Sequence, residues 1–302
     1  MDGTIPDPQV LGVRTASPAP PSRLDLCALE LFEEFPSKKS AYKAAKAGRI
    51  LLDGEATSPN APVAPGQTLT LLAPHDPPPV YDFPLTVLFE DESLAVIEKP
   101  PGIPVSGNYP RTVERALPAN LQPSTAVDAL PAPRPVHRLD APTGGVLLTA
   151  KTASALANLS LQFEQREITK RYRAIVTGHL GGDGTIQTAV DGRSALTEYR
   201  AVLHARSLTT GWTTTVDLEP HTGRMHQLRI HMASIGHPIL GDQQHSEGKV
   251  LRGKGLFLWA VQIEFRHPDT AEQLCISVPE PPKFQAFRTR EVRRWKKLSG
   301  PD

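Results

Sequence analysis

The distribution of proline does most to limit how this chain can fold. Of its 302 residues, 31 are proline, about twice the usual share of ~5%. Proline lacks a backbone N–H and has a fixed φ, so clusters of prolines interrupt helices and sheet interiors. Such clusters lie in residues 1–21, 74–79 and 116–135. They predict a tail, a small amino-terminal unit and a larger carboxyl-terminal unit.

The boundaries of these units follow from the clusters. We expect a disordered proline-rich tail over residues 1–21, a small domain over 22–75, a linker over 76–83 and a larger domain over 84–302. Residues 116–135 are rich in proline and alanine and contain few core formers, so we expect them to form a surface excursion.

The small unit has α/β character. Ser22 and Ser37 are candidate N-caps of two helices, the second of which ends at Gly48. The segment RILLDGEATS then predicts a hairpin that turns at Asp53-Gly54.

The larger unit contains several strands separated by turns. The segments LTVLFEDESLAVIEKP, KRYRAIVTG, LTEYRAVLHARS and GWTTTVDLEP have strand character, and SALANLSLQFEQ predicts a helix. This order favours an α+β fold, in which helices flank a mixed but mostly antiparallel sheet, over alternating βαβ units.

Composition narrows the class of protein. Hydrophobic residues make up 39% and charged residues 22% of the chain. No segment approaches the ~20 apolar residues that span a bilayer, and residues 1–22 lack the apolar run of a secretory signal. Cys27 and Cys275 lie too far apart to indicate a metal or redox motif. We therefore expect a soluble cytoplasmic protein.

The net charge is only +1, but two segments are strongly basic. Residues 38–49 contain five basic residues and no acid, and residues 283–297 contain seven basic residues and Glu291. Such runs suit a polyanionic partner, although many are simply solvated faces.

Asp140 is the candidate reactive carboxylate. It follows His137-Arg138-Leu139 and precedes a Pro-Thr-Gly-Gly turn and the apolar strand VLLTA. A loop at a strand end is a common position for reactive groups, but an aspartate there can also cap the turn. The residues alone leave both interpretations open.

The segment HRLDAPTGGVLLTAK closely resembles the signature of the RluA-type pseudouridine synthases. The resemblance continues, in order, through KPPG at 99–102, KRYRA at 170–174, HTGRMHQLRIH at 221–231 and GHPILGD at 236–242. It implies an enzyme that isomerises uridine in RNA to pseudouridine. The reaction is redox-neutral, so no cofactor is expected.

Residues 23–72 resemble the alpha-L RNA-binding module that precedes the catalytic domain in many members of this family. RLD at 23–25, SKKS at 37–40, AGRILLDGE and VAPGQTL carry this likeness. It implies that the basic helix contacts RNA phosphates through Lys38, Lys39, Lys43 and Lys46.

The resemblance also implies roles at the active site. Asp140 either attacks the anomeric carbon or removes the 2′ proton, Tyr172 stacks on the uracil, and Arg224 keeps the carboxylate ionised and aligned. Arg138 fills the space that the flipped uridine leaves, unless it forms only a structural ion pair. His137, Thr143 and Leu228 complete the expected substrate-binding set.

The chain departs from the family pattern at three places. The family's Thr-Ser-Gly is Thr143-Gly144-Gly145, His245 stands where relatives often have tyrosine, and Trp259 stands where they usually have histidine. These changes bear on fine contacts with the substrate.

Several further expectations and alternatives complete the prediction. RNA is the expected partner, ribosomal RNA being favoured over transfer RNA, and the protein is expected to be a monomer without membrane contact. No metal site is expected, since the spacing of His221, His226 and His231 fits neither one helical face nor a ligand set. The alternatives are a non-enzymatic RNA-binding protein on a degenerate synthase scaffold and a glycosidase, which would need two carboxylates.

Overall fold

The computed structural model describes residues 10–17, 23–73, 80–107, 109–246 and 253–299. By contacts, the chain divides into two compact units, Met1–Pro78 and Pro79–Asp302. Residues 76–79 of the expected linker lie outside the described residues. Among the described residues, no helix combines the length and apolar character needed to cross a bilayer.

The first unit packs two helices against a four-stranded antiparallel sheet, counted over its described residues. The elements are β1 (Val10–Thr15), α1 (Leu24–Leu31), α2 (Lys38–Lys46), β2 (Ile50–Leu52), β3 (Glu55–Ala56) and β4 (Thr68–Leu72). The strand order is β1-β4-β2-β3. Leu24, Ile50 and Leu69 are fully buried in its core.

Local signals account for this unit well. Ser37 caps α2 in a capping box with Ser40, which satisfies backbone N–H groups at the helix start. Asp53 and Gly54 both have positive φ, 50° and 89°, as a two-residue hairpin turn requires. The predicted second helix and hairpin are therefore confirmed. The first helix begins at Leu24 with Arg23 as its N-cap, rather than with Ser22.

The expectation of a disordered tail is wrong for residues 10–15. These residues form β1, which pairs with β4 from Val10↔Leu72 to Thr15↔Thr68. Most side chains of β1 are exposed, so backbone hydrogen bonds to the edge of the sheet hold the strand. Such pairing leaves little trace in the hydrophobic pattern. Residues 1–9 and 18–21 of the expected tail lie outside the described residues.

The second unit is built on a large mixed sheet that is antiparallel except where β13 meets β8. Its elements are β5 (Thr86–Glu90), β6 (Leu94–Lys99), α3 (Val113–Asn120), β7 (Ala129–Pro135), β8 (Gly144–Thr152), α4 (Ala153–Glu164), β9 (Thr169–Thr177), β10 (Asp183–Ile186), β11 (Thr197–Ser207), β12 (Gly211–Pro220), α5 (Gln227–Ser234), β13 (Leu258–Arg266), β14 (Gln273–Ser277) and α6 (Pro282–Ser299). The main order is β10-β11-β12-β9-β13-β8-β6-β5, with β14 beside β13 and β7 beside β8. The predicted α+β architecture is confirmed.

Two hydrophobic cores cover the faces of this sheet. Leu258 and Ala260 of β13 belong to one core, and Phe257 and Trp259 belong to the other, as alternation along a strand requires. At the parallel pairing, Trp259 lies opposite Gly144. A Cβ atom at Gly144 would lie only 2.1 Å from Cζ3 of Trp259. The indole therefore occupies the space that a side chain at position 144 would need.

The expected surface excursion at 116–135 is more structured than its composition indicates. Helix α3 buries Ala116 and Leu117, and β7 joins the sheet beside β8. The chain just before β5 is attached to α3, because the Tyr81 N–H donates to the Arg115 carbonyl and the Asn120 side chain donates to the Phe83 carbonyl. Residues 80–83, expected as linker, are thus part of the second unit.

Candidate active site

Asp140 lies in the loop between β7 and β8, and this loop is held at several points. The Thr143 N–H donates to the Asp140 carbonyl at 3.0 Å, which closes the turn, and the Gly102 N–H donates to the Ala141 carbonyl at 2.7 Å. Leu139 is buried in the core. The carboxylate therefore projects from a restrained backbone.

Lys99 provides the strongest of these restraints. Its side chain is fully buried, and its ammonium group donates to the carbonyls of Pro100, Ala141 and Thr143 at 2.9, 3.1 and 2.7 Å. Burial lowers the pKa of Lys99 to about 8, against an opposing effect of Asp140. One buried cation thus ties the end of β6 to the loop that carries Asp140.

The arginine beside Asp140 is Arg229, in the first turn of α5. Its Nη1 lies 3.5 Å from Oδ2 of Asp140. Its Nε and Nη2 form a bidentate pair, both at 2.8 Å, with the buried carboxylate of Asp242. A bidentate pair fixes the plane of a guanidinium, so Asp242 aims the remaining Nη1 at Asp140.

Arg224, the predicted partner of Asp140, does not have that position. Its Nε donates to the Ser194 carbonyl at 3.2 Å, and the described structure contains no ion pair within 4 Å between it and Asp140. The prediction of Arg224 as the aligning arginine is therefore wrong. Arg224 instead lines a cavity of about 560 Å³ that Asp140 also borders. The two arginines differ because Arg224 precedes α5, whereas Arg229 lies on its buried side.

Two histidines lie on the same side of Asp140. Nε2 of His226 is 3.9 Å from Oδ1 of Asp140, and its Nδ1 is 3.0 Å from Nε2 of His245. Burial lowers the pKa of His245 below its ordinary value. His226 has a left-handed φ of 54° at the start of α5, an uncommon conformation that is enriched in histidine and other short polar residues. Sequence reasoning missed the role of both histidines at this site.

Tyr172 and Leu228 form the apolar side of a cavity of about 560 Å³ that opens at Asp140. Both side chains are at least nine-tenths buried. Burial, and then the charge of Asp140, raises the pKa of Tyr172. The ring therefore faces the cavity as a neutral phenol.

Three other predicted substrate-binding residues, His137, Thr143 and Arg138, also line this cavity. Nε2 of His137 accepts the Leu148 N–H at 3.1 Å, and burial followed by nearby Lys170 lowers the pKa of His137 to about 3. Its ring is therefore a neutral part of the wall. The buried Thr143 hydroxyl has no hydrogen-bond partner among the described residues.

Arg138 is exposed and lies where two cavities meet. It lines the 560 Å³ cavity together with a second cavity of about 730 Å³, and Asp140, His226 and Arg229 are likewise shared by both. No carboxylate lies within 4 Å of its guanidinium among the described residues, so the structural ion pair considered for it is not formed there. Its free guanidinium stands at the rim beside Asp140.

The three histidines of the 221–231 motif lie in separate environments. His221 lies 3.1 Å from a Glu198 carboxylate oxygen, whereas the buried His231 ring bonds to the Thr197 hydroxyl and the Thr188 carbonyl. With His226 beside Asp140, they do not converge on one point.

Lys38, Lys39, Lys43 and Lys46 belong to the first unit, where all four are exposed on α2.

Comparisons with known proteins agree with this geometry. A family model described as RNA pseudouridylate synthase matches residues 93–234. An uncharacterized RNA pseudouridine synthase of Aquifex aeolicus is 31% identical over 87% of this chain and 92% of its own. Ribosomal large subunit pseudouridine synthase D of Xylella fastidiosa is 33% identical over 86% of each chain, and that of Xanthomonas campestris is 34% identical over 87% of each. The structure of human RNA Pseudouridylate Synthase Domain Containing 1 superimposes with a TM-score of 0.56 and 25% identity, over 67% of this chain and 86% of that one.

Proposed function

This chain belongs to the RNA pseudouridylate synthase family, and we propose that it isomerises a uridine of large-subunit ribosomal RNA with Asp140 as the essential carboxylate. The reaction class follows from the family. The ribosomal target is supported by relatives that are named ribosomal large subunit pseudouridine synthases and match most of this chain. The role of Asp140 rests on its position.

One observation carries the assignment of Asp140. Its carboxylate stands where two cavities meet, with the fixed guanidinium of Arg229 at 3.5 Å. The guanidinium holds the carboxylate in one orientation. The reaction needs that orientation, whether the carboxylate attacks the anomeric carbon or removes the 2′ proton.

The surrounding residues suit the remaining steps. The glycosidic bond to N1 breaks, the uracil turns, and its carbon five bonds to the anomeric carbon. Carbon five then loses its proton to solvent and N1 gains one, so the product is an isomer of uridine. The Tyr172 ring provides a surface on which the detached base can stack. Arg138, exposed at the rim with no acidic partner among the described residues, is placed to fill the gap that the flipped nucleotide leaves.

The test is tritium release from RNA labelled at carbon five of uracil. We expect Asp140→Asn to bind RNA as the wild type does and to release no tritium, because an amide can neither attack nor accept the proton. Asp191→Asn is the matched control, since Asp191 is exposed with φ of 51°, a conformation that asparagine tolerates. Tritium release by the Asp140→Asn protein would overturn the assignment.

The target requires a separate experiment. Pseudouridine mapped across total RNA, from cells with and without the gene, should lose a site in large-subunit ribosomal RNA. Loss of a site in transfer RNA alone would contradict the ribosomal proposal and leave the role of Asp140 untouched. Loss of no site would favour the non-enzymatic alternative.

A further inference from the structure

The carboxyl-terminal helix α6 separates its charges by face. It contains seven basic residues and Glu291 as its acid. Glu291 is buried, and it accepts a hydrogen bond of 2.8 Å from the Ser207 hydroxyl of β11. Lys283 and Arg288 are also bound internally, to the Leu256 carbonyl and to Glu280. The Glu291 carboxylate is therefore buried and does not offset the basic residues at the surface of α6.

The outer side of α6 presents cations. Arg290, Arg293, Lys296 and Lys297 are all exposed, and helical spacing puts them on one broad face. Arg290 lies 3.5 Å from Glu291. Arg293, Lys296 and Lys297 have no carboxylate within 4 Å among the described residues.

Strand β11 places an oriented arginine beside α6, on the flank that carries Trp295. The exposed Arg206 guanidinium lies 3.9 Å from the ring centroid of Trp212 and 5.1 Å from that of Trp295 on α6. Stacked between aromatic rings, a guanidinium keeps its N–H edges available for phosphate oxygens. Arg206, Arg290, Arg293, Lys296 and Lys297 together form what we call the distal basic surface.

This surface is remote from the candidate active site. Trp212 is the second residue of β12, at the hairpin end, and Pro220 ends the strand in the wall of the Asp140 cavity. Eight strand residues span roughly 25 Å at about 3.3 Å each. A partner that touches both places must extend well beyond one nucleotide.

We propose that the distal basic surface binds the phosphate backbone of the substrate RNA, far from the uridine that is modified. The proposal rests on RNA as the substrate and is independent of the role of Asp140. Clustered cations complement a polyanion, and three of these, Arg293, Lys296 and Lys297, have no carboxylate within 4 Å in the part of the chain that the structure describes. Cations in the last turn also suit the helix dipole, but Arg206 and Arg290 lie outside that turn.

The experiment compares the triple variant Arg293→Gln/Lys296→Gln/Lys297→Gln with a matched triple variant. Arg134→Gln/Arg200→Gln/Arg266→Gln removes the same charge from exposed arginines that each lie within 4.0 Å of a carboxylate. Affinity is measured across a salt series with a transcript of large-subunit ribosomal RNA. A short oligo(U), unable to bridge the two places, is the second probe.

Three lost phosphate contacts should flatten the salt dependence by about 2–3 log units per decade. Between 50 and 200 mM salt the wild type should then lose about 16- to 64-fold more affinity than the α6 variant. The control triple variant and all oligo(U) affinities should match the wild type. Equal salt slopes for wild type and α6 variant, or an equal change in the control, would overturn the proposal.

A second measurement uses the wild-type protein, so its result does not depend on whether the variant folds. In the wild-type protein, bound transcript should slow acetylation of Lys296 and Lys297, and unchanged acetylation would refute RNA contact there. Tritium release by the α6 variant at saturating RNA should equal that of the wild type. If the Asp140 assignment is wrong, the Asp140→Asn protein will still release tritium. If this proposal is wrong, the salt slope of the α6 variant will equal that of the wild type.

Discussion

At the scale of single residues, Asp242 determines that Arg229, and not Arg224, faces Asp140. The motif HTGRMHQLRIH contains two arginines five residues apart, and either one satisfies a requirement for positive charge near Asp140. The choice depends on where α5 begins and on Asp242, which lies 13 residues beyond Arg229 and binds it. A long-range partner of this kind is not encoded in local spacing. Local sequence does single out Asp140, the proposed carboxylate, because it is the one acid of its motif.

The two arginines should therefore respond differently to the same conservative change. We expect Arg229→Lys to lower kcat by about 100-fold, because an ammonium cannot hold Asp242 with two bonds and also reach Asp140 in a fixed geometry. Arg224→Lys should leave kcat close to the wild type and act mainly on KM, since Arg224 lines the 560 Å³ cavity but donates to the Ser194 carbonyl and forms no ion pair with Asp140 among the described residues. Steady-state kinetics of tritium release measures both. A larger loss of kcat in Arg224→Lys would restore the original assignment.

At the scale of elements, Lys99 makes the junction of β6 with the Asp140 loop sensitive to pH. Its ammonium has three donors for three carbonyl acceptors, whereas a neutral amine has only two. Because burial lowers the pKa of Lys99 to about 8, we expect kcat to fall as the pH rises through about 8. Lys99→Met should have a low kcat without this inflection.

As the pH rises, Lys99 affects the stability of the fold in the direction opposite to its effect on kcat. Between about pH 8 and the ordinary lysine value of 10.5, the unfolded chain binds more protons than the folded chain. The contribution of Lys99 to the free energy of unfolding therefore rises with pH across that window. Denaturant unfolding of wild type and Lys99→Met at several pH values measures this difference. A parallel loss of activity and of this contribution would indicate general alkaline unfolding instead.

Helix α2 gives a second prediction at this scale. Lys39, Lys43 and Lys46 are exposed, whereas Arg49 donates to the Leu72 carbonyl and is engaged within the unit. Changing the three lysines to glutamine should flatten the salt dependence of RNA binding by ~2–3 log units per decade. The lysine-to-arginine triple variant, which keeps the charge, is the control. Unchanged slopes in the glutamine variant would identify α2 as a merely solvated face.

The elements that the sequence revealed are those with local signals. The capping residue Ser37 and the Asp53-Gly54 turn locate α2 and its following hairpin without reference to the rest of the chain. Strand β1 and helix α3 were missed for a common reason. Strand β1 is ordered by pairing with a sheet edge, and helix α3 is ordered by packing on a core that distant residues supply. Neither contact is visible in the local sequence, which is rich in proline.

At the scale of the whole molecule, the two units each have a core of their own, so the second should fold alone. Deleting residues 1–79 keeps the hydrogen bonds of Tyr81 and Phe83 to α3. We expect residues 80–302 to melt cooperatively and release tritium, with weaker binding to long RNA. A control that also lacks residues 80–83 should melt at a lower temperature. Loss of cooperative melting in residues 80–302 would mean that the units depend on a shared core.

The contact between Trp259 and Gly144 couples the two positions energetically. The indole fills the space that a side chain at position 144 would need. A side chain at position 144 and tryptophan at position 259 therefore exclude each other on this backbone. The cost of replacing one residue depends on which residue stands at the other position, so the effects of the two replacements on the free energy of unfolding should not add.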